Sequence, residues 1–87
     1  MQINAQKILQ NVLKAGMLEL KLVNCGIVPQ ECIRISSSDQ VTDLCNLDLS
    51  CNPIGFQGLC NLLNAKQSKL SKIQQLKLFS CELDNGF

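Results

Sequence analysis

The chain of 87 residues contains no histidine, no tryptophan and no tyrosine. These absences remove the usual parts of a Ser-His-Asp triad, of a histidine-assisted metal site and of an aromatic platform for nucleic-acid bases. Eight basic and seven acidic residues give a formal charge of only +1, so a polybasic nucleic-acid binder is not expected. No segment approaches the roughly 20 continuous apolar residues of a membrane-spanning helix. The first six residues also lack the charged start and apolar run of a secretory signal.

Leucine, by contrast, is abundant and regularly spaced. Three segments align without gaps on the template L-x-x-L-x-L-x-x-N/C-x-L, over residues 17–27, 44–54 and 73–83. The central leucines Leu20, Leu47 and Leu76 recur 27 and 29 residues apart. One match to so permissive a template carries little weight, whereas three matches at a near-constant period indicate an internal repeat.

Each repeat combines the periodicity of a strand with that of a helix. Apolar and other residues alternate over 18–23, 47–49 and 76–78, which predicts short strands with one buried face. Pro29 suits a first helical turn, and it is followed by the candidate core residues Cys32, Ile33 and Ile35. A further helix is predicted from a set of apolar residues at helical spacing, namely Phe56, Leu59, Cys60, Leu62 and Leu63.

The opening segment, residues 1–16, is also predicted to be helical. Asn4 is a candidate N-cap, and Gly16 stands where a helix would stop. Apolar residues recur at the spacing of one helical face, at Ala5, Ile8, Leu9, Val12 and Leu13. We interpret this helix as packing over the first repeat, either as a cap or as the helix of a preceding repeat. The alternative is an amphipathic helix that seeks a partner or a membrane surface.

At these residues the chain resembles the ribonuclease-inhibitor type of leucine-rich repeat, which also occurs in NOD-like receptors. That type alternates Asn-type with Cys-type units, and the N/C position of the template holds Cys25, Asn52 and Cys81 here. Residues 47–60 look like the Asn-type unit of the family, including an internal glycine at Gly58. The similarity covers residues 17–87, most of the chain.

The resemblance implies an α/β leucine-rich-repeat solenoid, a horseshoe segment with parallel strands on the concave face and helices on the convex face. We therefore expect a single leucine-rich-repeat domain over residues 1–87: an N-terminal helix (1–16), two repeats (17–43 and 44–72) and a partial third repeat (73–87). The resemblance also implies a module that binds proteins and has no enzymatic activity. The chain offers neither a glycine-rich phosphate loop nor a nucleophile–base pair, so we expect no catalysis and no cofactor or metal.

The candidate binding residues lie between the inward leucines, because side chains alternate along a strand and these therefore face outward. The central column, Lys21, Asp48 and Lys77, forms a ladder of alternating charge with rungs roughly 4.8 Å apart. In one interpretation, Phe79 anchors a partner protein and the charges of the ladder orient that partner. In the other, the charges of the ladder neutralise one another on the surface and Phe79 packs against further repeats. The complete predicted set of partner-binding residues is Glu19, Lys21, Val23, Asn46, Asp48, Ser50, Gln75, Lys77 and Phe79.

Six cysteines in so short a chain suggest a disulfide framework, but their placement argues against one. Cys25 and Cys81 are expected two strands apart, roughly 9–10 Å, which exceeds disulfide reach. Cys32 and Cys60 fall on predicted helices, where we expect them to pack as small apolar side chains. No C-x-x-C pair suggests a zinc site. A reduced, cytoplasmic protein fits these features.

The sequence thus predicts a non-catalytic protein-interaction module that belongs to a larger intracellular receptor or scaffold. Its expected partner is another protein, rather than a nucleic acid or a membrane. The alternative is a purely structural solenoid segment or cap with no partner of its own. The third strand is expected to present an open edge that pairs with further repeats or self-associates. The basic cluster Lys66, Lys69 and Lys72 is interpreted as a solvated helix end and loop, with an acidic or phosphate-bearing partner as the alternative.

Overall fold

The computed structural model describes residues 5–64 and 66–83. Within these ranges helices and strands alternate, which confirms the α/β class. A short 3-10 turn, Asp39–Val41, follows the second helix. The elements in chain order are α1 (Ala5–Val12), β1 (Glu19–Lys21), α2 (Pro29–Ser37), β2 (Asn46–Asp48), α3 (Gly55–Leu63) and β3 (Gln75–Lys77). None of the helices in the described ranges is long and apolar enough to cross a bilayer.

The three strands form one parallel sheet in the order β1-β2-β3. Leu47 pairs with Leu20 on one side and with Leu76 on the other, so the three aligned segments lie in register across the sheet. The first strand is shorter than the predicted alternation over 18–23. Leu18 precedes the strand and is 62% exposed, and Val23 lies in the turn that follows it.

The chain leaves each strand through the same left-handed turn. Asn24, Cys51 and Ser80 occupy equivalent positions after the three strands and have φ of 54°, 61° and 56°. Such a conformation is uncommon outside glycine, since the Cβ crowds the carbonyl oxygen that follows. Its recurrence in three repeats indicates that the turn geometry follows from the repeat itself. The residue after the turn is buried in the second and third segments, at Asn52 and Cys81, and half-buried in the first, at Cys25.

Helix α2 begins where Pro29 predicts, with the proline in the first turn, where its missing N–H costs no hydrogen bond. The Glu31 carboxylate accepts a hydrogen bond from the backbone N–H of Val28 at 3.3 Å, which satisfies a donor at the helix entrance. Cys32 and Ile35 are fully buried, as predicted. Ile33 was expected to be a core residue, but it lies 39% exposed because its position falls on the outer face of the helix.

Helix α3 lies beside α2, and polar side chains join the two. The side-chain amide of Asn61 donates to the Pro29 carbonyl at 2.8 Å, and the Ser36 hydroxyl donates to the Asn61 carbonyl at 3.1 Å. Gly58 lies in the close contact between them, because a Cβ at this position would stand 2.6 Å from the Ile54 Cβ and 3.2 Å from the Cys32 Sγ. The helical spacing of the apolar set on α3 is confirmed, but its predicted burial is only partly correct. Leu62 is buried, whereas Cys60 and Leu63 are exposed.

Helix α1 is shorter than the segment 1–16 from which it was predicted. It ends at Val12, and the chain turns before Gly16, whose φ is +81°. Asn4, the candidate N-cap, lies outside the described residues. Ala5 and Leu9 are buried in the same cluster as the strand leucines, and α1 contacts α2. The helix therefore packs against the first repeat, as the preferred interpretation had it.

The described residues share one hydrophobic cluster, which lies between the inward face of the sheet and the helices. Inward leucines of β1 and β2 are nearly inaccessible, with Leu20 at 6% and Leu47 at 1% exposure. Equivalent residues of the third repeat are only half-buried. They are Ile73, Leu76, Leu78 and Leu83. The apolar side chains are therefore most completely buried around the second repeat and more exposed near β3.

Candidate functional site

The outward face of the sheet, which we call the strand face, carries the predicted binding residues. Two of the predicted columns are confirmed by strand pairing. Asn46 lies between Glu19 and Gln75, and Asp48 lies between Lys21 and Lys77 (the charge ladder). These side chains are exposed or half-buried, whereas the leucines between them in β1 and β2, Leu20 and Leu47, are buried. The parallel register therefore brings six of the nine predicted residues together as two adjacent rows.

The third predicted column, Val23, Ser50 and Phe79, lies just beyond the ends of the strands. Backbone hydrogen bonds from Asn24 N–H to the Ser50 carbonyl and from Cys51 N–H to the Phe79 carbonyl, at 3.0 and 2.7 Å, keep the three residues side by side. Val23 is 46% exposed and Phe79 is 72% exposed, which both the binding interpretation and packing against further repeats require.

Ser50 does not face outward as predicted. It is only 6% exposed, and its hydroxyl accepts a hydrogen bond from the Phe79 backbone N–H at 3.1 Å. The same left-handed turn follows the exposed Val23 and Phe79, so the turn alone does not bury the serine. Ser50 differs because it lies between these two residues and its short side chain bonds to the Phe79 backbone. Ser50 therefore supports the backbone under Phe79, and it offers little surface to a partner.

Within the charge ladder, the side chain of Asp48 is held in place by a hydrogen bond to the backbone. Its carboxylate accepts a hydrogen bond from the Ser50 backbone N–H at 3.0 Å. Hydrogen bonds from the side chain and backbone of Ser50 lower the pKa of Asp48 below its ordinary value of 3.8, and the neighbouring Lys77 and Lys21 lower it further. Lys21 also pairs with Glu19 of the same strand at 3.4 Å, with both side chains more than half exposed. The ladder thus holds one anchored anion between two cations whose ends are accessible to solvent.

A shallow depression of about 80 Å³ lies over the middle of the strand face. Its volume is far below the roughly 300–1,000 Å³ of sites that hold drug-sized ligands or cofactors. It has room for one side chain of a partner and not for a nucleotide. The residues lining it are Glu19, Leu20, Lys21, Asn46, Leu47, Asp48, Gln75 and Lys77.

Sequence reasoning assigned no role to the most connected side chain beneath this face, that of Asn52. It is 1% exposed, and its Oδ1 accepts hydrogen bonds from the backbone N–H groups of Cys25 and Ile27 at 2.8 and 2.9 Å. Its Nδ2 donates to the carbonyls of Leu22 and Leu49 at 2.7 and 2.8 Å. One amide therefore joins the turns after β1 and β2. The signal that points to it is the Asn position of the repeat template.

The cysteines occupy different environments. Cys32 and Cys81 are buried, and Cys51 and Cys60 are exposed, which corrects the expectation that Cys60 packs in the core. Cys60 is exposed because it lies on the side of α3 away from α2 and the sheet. Burial, with smaller contributions from Glu31 and Cys81, raises the pKa of the Cys32 thiol to about 12. Among the described residues, no group of histidine, cysteine, aspartate and glutamate side chains is arranged to hold a metal ion.

The basic cluster takes part in contacts within the protein. Lys69 pairs with Asp39, and Lys72 pairs with Asp43 at 2.8 Å, so two of the three lysines join the second repeat to the connector after α2. The pKa of Lys72 is raised by this contact with Asp43. Lys66 is exposed. Helix α3 ends at Leu63, so the three lysines lie in the loop part of the predicted helix end and loop. The two ion pairs favour this interpretation over that of a binding site.

No known protein family matches the chain, and neither a curated protein nor a solved structure gives a match.

Proposed function

We propose that the chain is a leucine-rich-repeat segment of the ribonuclease-inhibitor type, that it binds another protein through the strand face, and that it is not an enzyme. The register of the three repeats supports the solenoid assignment, because each inward leucine meets its equivalent on the next strand. The left-handed turns support it further, because they recur at the same position of the template in all three segments. The Asn52 side chain supports it as well, because it joins the first segment to the second from the Asn position of the template.

The exposed Phe79 is the observation that carries the binding proposal. Phe79 is 72% exposed, and the half-exposed Val23 lies on the far side of Ser50, so both add apolar surface to an otherwise polar face. Buried aromatic anchors surrounded by polar groups dominate the energetics of many protein interfaces. The adjacent charge ladder supplies such polar groups, and the depression next to it accommodates one partner side chain.

The second candidate function is a structural segment within a longer solenoid. The half-buried leucines of the third repeat favour it, because further repeats would cover them. The six cysteines support a reducing compartment such as the cytoplasm under either proposal. Cys32 in particular is packed at 0% exposure as an apolar side chain.

The two proposals differ in what a change on the strand face does. The native chain and an Asp48→Lys/Phe79→Ala variant are immobilised and incubated with cell lysate under reducing conditions. A Gln30→Lys/Ile33→Ala variant adds a lysine and truncates an apolar side chain on the exposed side of α2, and it serves as the control. We expect the native chain and the control to capture the same protein and the strand-face variant to lose it. Equal capture by all three folded proteins would contradict the strand-face proposal.

A further inference from the structure

The charge ladder on the strand face has a set spacing and a set order of signs. Parallel pairing places Asp48 between Lys21 and Lys77, and neighbouring strands of a sheet lie roughly 4.8 Å apart. The two lysines are therefore separated by about two strand spacings, with the opposite charge midway between them. A partner that pairs with all three needs an acidic, a basic and an acidic group in that order and at that spacing.

The three charges of the ladder are available to such a partner. The Asp48 carboxylate is only half-buried, and the Ser50 backbone N–H holds its orientation. Lys77 forms no salt bridge with any residue that the structure describes. Lys21 pairs with Glu19, but both side chains are more than half exposed, and such pairs contribute little to stability. A partner carboxylate can therefore take the place of Glu19 at Lys21.

The spacing of the ladder separates a helix from an extended segment as the partner. On an α-helix, residues i, i+4 and i+7 lie on one stripe, and seven residues rise about 10.5 Å. This rise exceeds the roughly 9.6 Å between the outer strands by only about 1 Å. On an extended strand, the same-face residues i, i+2 and i+4 span about 13 Å and overshoot the outer strands by roughly 4 Å. Successive turns of a helix that crosses the strands therefore match the ladder with less distortion.

The surroundings of the ladder favour the same partner. The depression of about 80 Å³ is lined by Glu19 and Asp48 among others, so a basic side chain from the middle of the helix finds two carboxylates there. Phe79 lies two residues beyond Lys77, about 6.6 Å further along the chain. A helix with its side chains is about 10–12 Å wide. A helix lying on the ladder therefore also reaches the exposed Phe79 ring with an apolar residue on its flank.

A second copy of this chain does not supply such a helix. Among the described helices, α3 has no charged residue, α1 has only Lys7, and α2 has only Glu31 and Arg34. Glu31 is buried and takes part in the helix entrance. None of the three thus presents an acidic, a basic and an acidic residue on successive turns.

Resting on the proposed function of the strand face, we propose that its partner presents an α-helix that crosses the strands, with an acidic, a basic and an acidic residue beside Lys21, Asp48 and Lys77. An apolar residue on the flank of that helix packs against Phe79. The helix belongs to another protein, and the axis of the helix runs across the three strands.

The test titrates the full isotope-labelled chain with synthetic helical peptides. The acid–base–acid peptide carries Glu, Lys and Glu at i, i+4 and i+7 in an alanine-rich background. Leucines stand on both flanks at both ends of this series, so a leucine reaches Phe79 whichever way the helix runs. In the all-acidic peptide the central Lys is replaced by Glu. In the proline peptide an alanine inside the acid–base–acid series is replaced by proline, which breaks the helix.

Amide chemical shifts followed by NMR report where and how tightly each peptide binds. We expect the acid–base–acid peptide to shift the amides of Lys21, Asp48, Lys77 and Phe79. The all-acidic peptide should bind between about twofold and thirtyfold more weakly, because one exposed ion pair turns from attractive to repulsive. The proline peptide should bind at least about tenfold more weakly, because it must form the helix at a large cost.

Two variants of the chain separate the central contact from the overall charge. Asp48→Lys should reverse the preference in favour of the all-acidic peptide. Asp39→Lys changes the net charge by the same amount on the connector after α2, where the Asp39 side chain is 86% exposed, and should keep the native preference.

The proposal is overturned if the proline peptide binds as tightly as the acid–base–acid peptide, or if none of the peptides shifts the strand-face amides. It is also overturned if Asp48→Lys leaves the preference unchanged, or if Asp39→Lys reverses it too. A partner that is captured from lysate through the strand face while no helical peptide binds would refute the helix alone. Equal capture by the native chain and both variants in that experiment would refute the strand face itself, so the two failures are distinguishable.

Discussion

Replacing Asn52 by alanine should be among the most damaging single changes in the protein. The substitution removes the acceptor of the Cys25 and Ile27 N–H groups and the donor to the Leu22 and Leu49 carbonyls. Ile27 is 0% exposed, so its N–H cannot turn to water. Each buried polar group left without a partner costs about 1–3 kcal/mol.

The expected loss in the free energy of unfolding is about 3–5 kcal/mol. This estimate assigns the full penalty to the Ile27 N–H and smaller ones to the half-buried Cys25 N–H and to the two carbonyls. A chain of this length has a total stability of roughly 4–13 kcal/mol, so the variant loses a large part of it. Urea unfolding followed by far-ultraviolet circular dichroism measures the change, and the midpoint should fall by roughly 2–4 M.

Asn46→Ala is the matched control, because it removes the same side chain from the strand face, where Asn46 is half-buried. We expect its effect to stay within about 0.5 kcal/mol. Asn52→Asp adds a second comparison. It retains the two acceptor contacts but turns a negative oxygen toward the Leu22 and Leu49 carbonyls, so it should also destabilise the protein at neutral pH. If Asn52→Ala costs no more than Asn46→Ala, the bridging role of Asn52 is refuted.

Three further predictions concern packing, thiol reactivity and pH. Gly58→Ala should lower the free energy of unfolding by about 1–3 kcal/mol although alanine favours helices, because the added Cβ would clash with Ile54 and Cys32. Thermal unfolding measures the change, with Gln57→Ala on the exposed side of the same helix as the control. Equal melting temperatures of the two variants would contradict the prediction. When the folded protein is alkylated and analysed by mass spectrometry, the exposed Cys51 should react quickly and Cys32 only after unfolding. The reason is that Cys32 is buried, which raises the pKa of its thiol to about 12. Equal alkylation rates at the two cysteines would contradict the burial of Cys32. Because the folded-state pKa of Asp48 lies below 3.8, its contribution to stability is present above that pH and is lost as the pH falls through the folded-state pKa. The difference in unfolding free energy between the native chain and Asp48→Asn should therefore shrink as the pH falls below 3.8, and a constant difference would contradict the assignment.

The register of the sheet was predictable because it depends on a long-range repeat. The near-constant spacing of Leu20, Leu47 and Leu76 places equivalent leucines on neighbouring strands, which the strand pairing confirms. Pro29 marked the start of α2 for a local reason, since a proline fits the first turn of a helix and no later one. Both signals depend on spacing or on one residue's covalent geometry.

The exposure of single side chains was less predictable. Ser50 belongs to the outward series by counting, but its short side chain lies between Val23 and Phe79 and bonds to the Phe79 N–H. Ile33 and Cys60 are apolar residues of a kind that packs in cores, but each lies on the exposed face of its helix. Whether these side chains are buried depends on which helix packs beside them. The spacing of apolar residues within one segment cannot predict that packing.

The direct test of the central claim, that the strand face binds a protein, is site-specific photo-crosslinking in reducing cells. A benzoyl-phenylalanine replaces Phe79, which keeps an aromatic ring at the exposed position, and in a separate chain it replaces Ile33 on α2. The account predicts a discrete crosslinked partner from position 79 that is absent from position 33. Crosslinks of the same proteins from both positions, or none from position 79 with the chain folded, would contradict it.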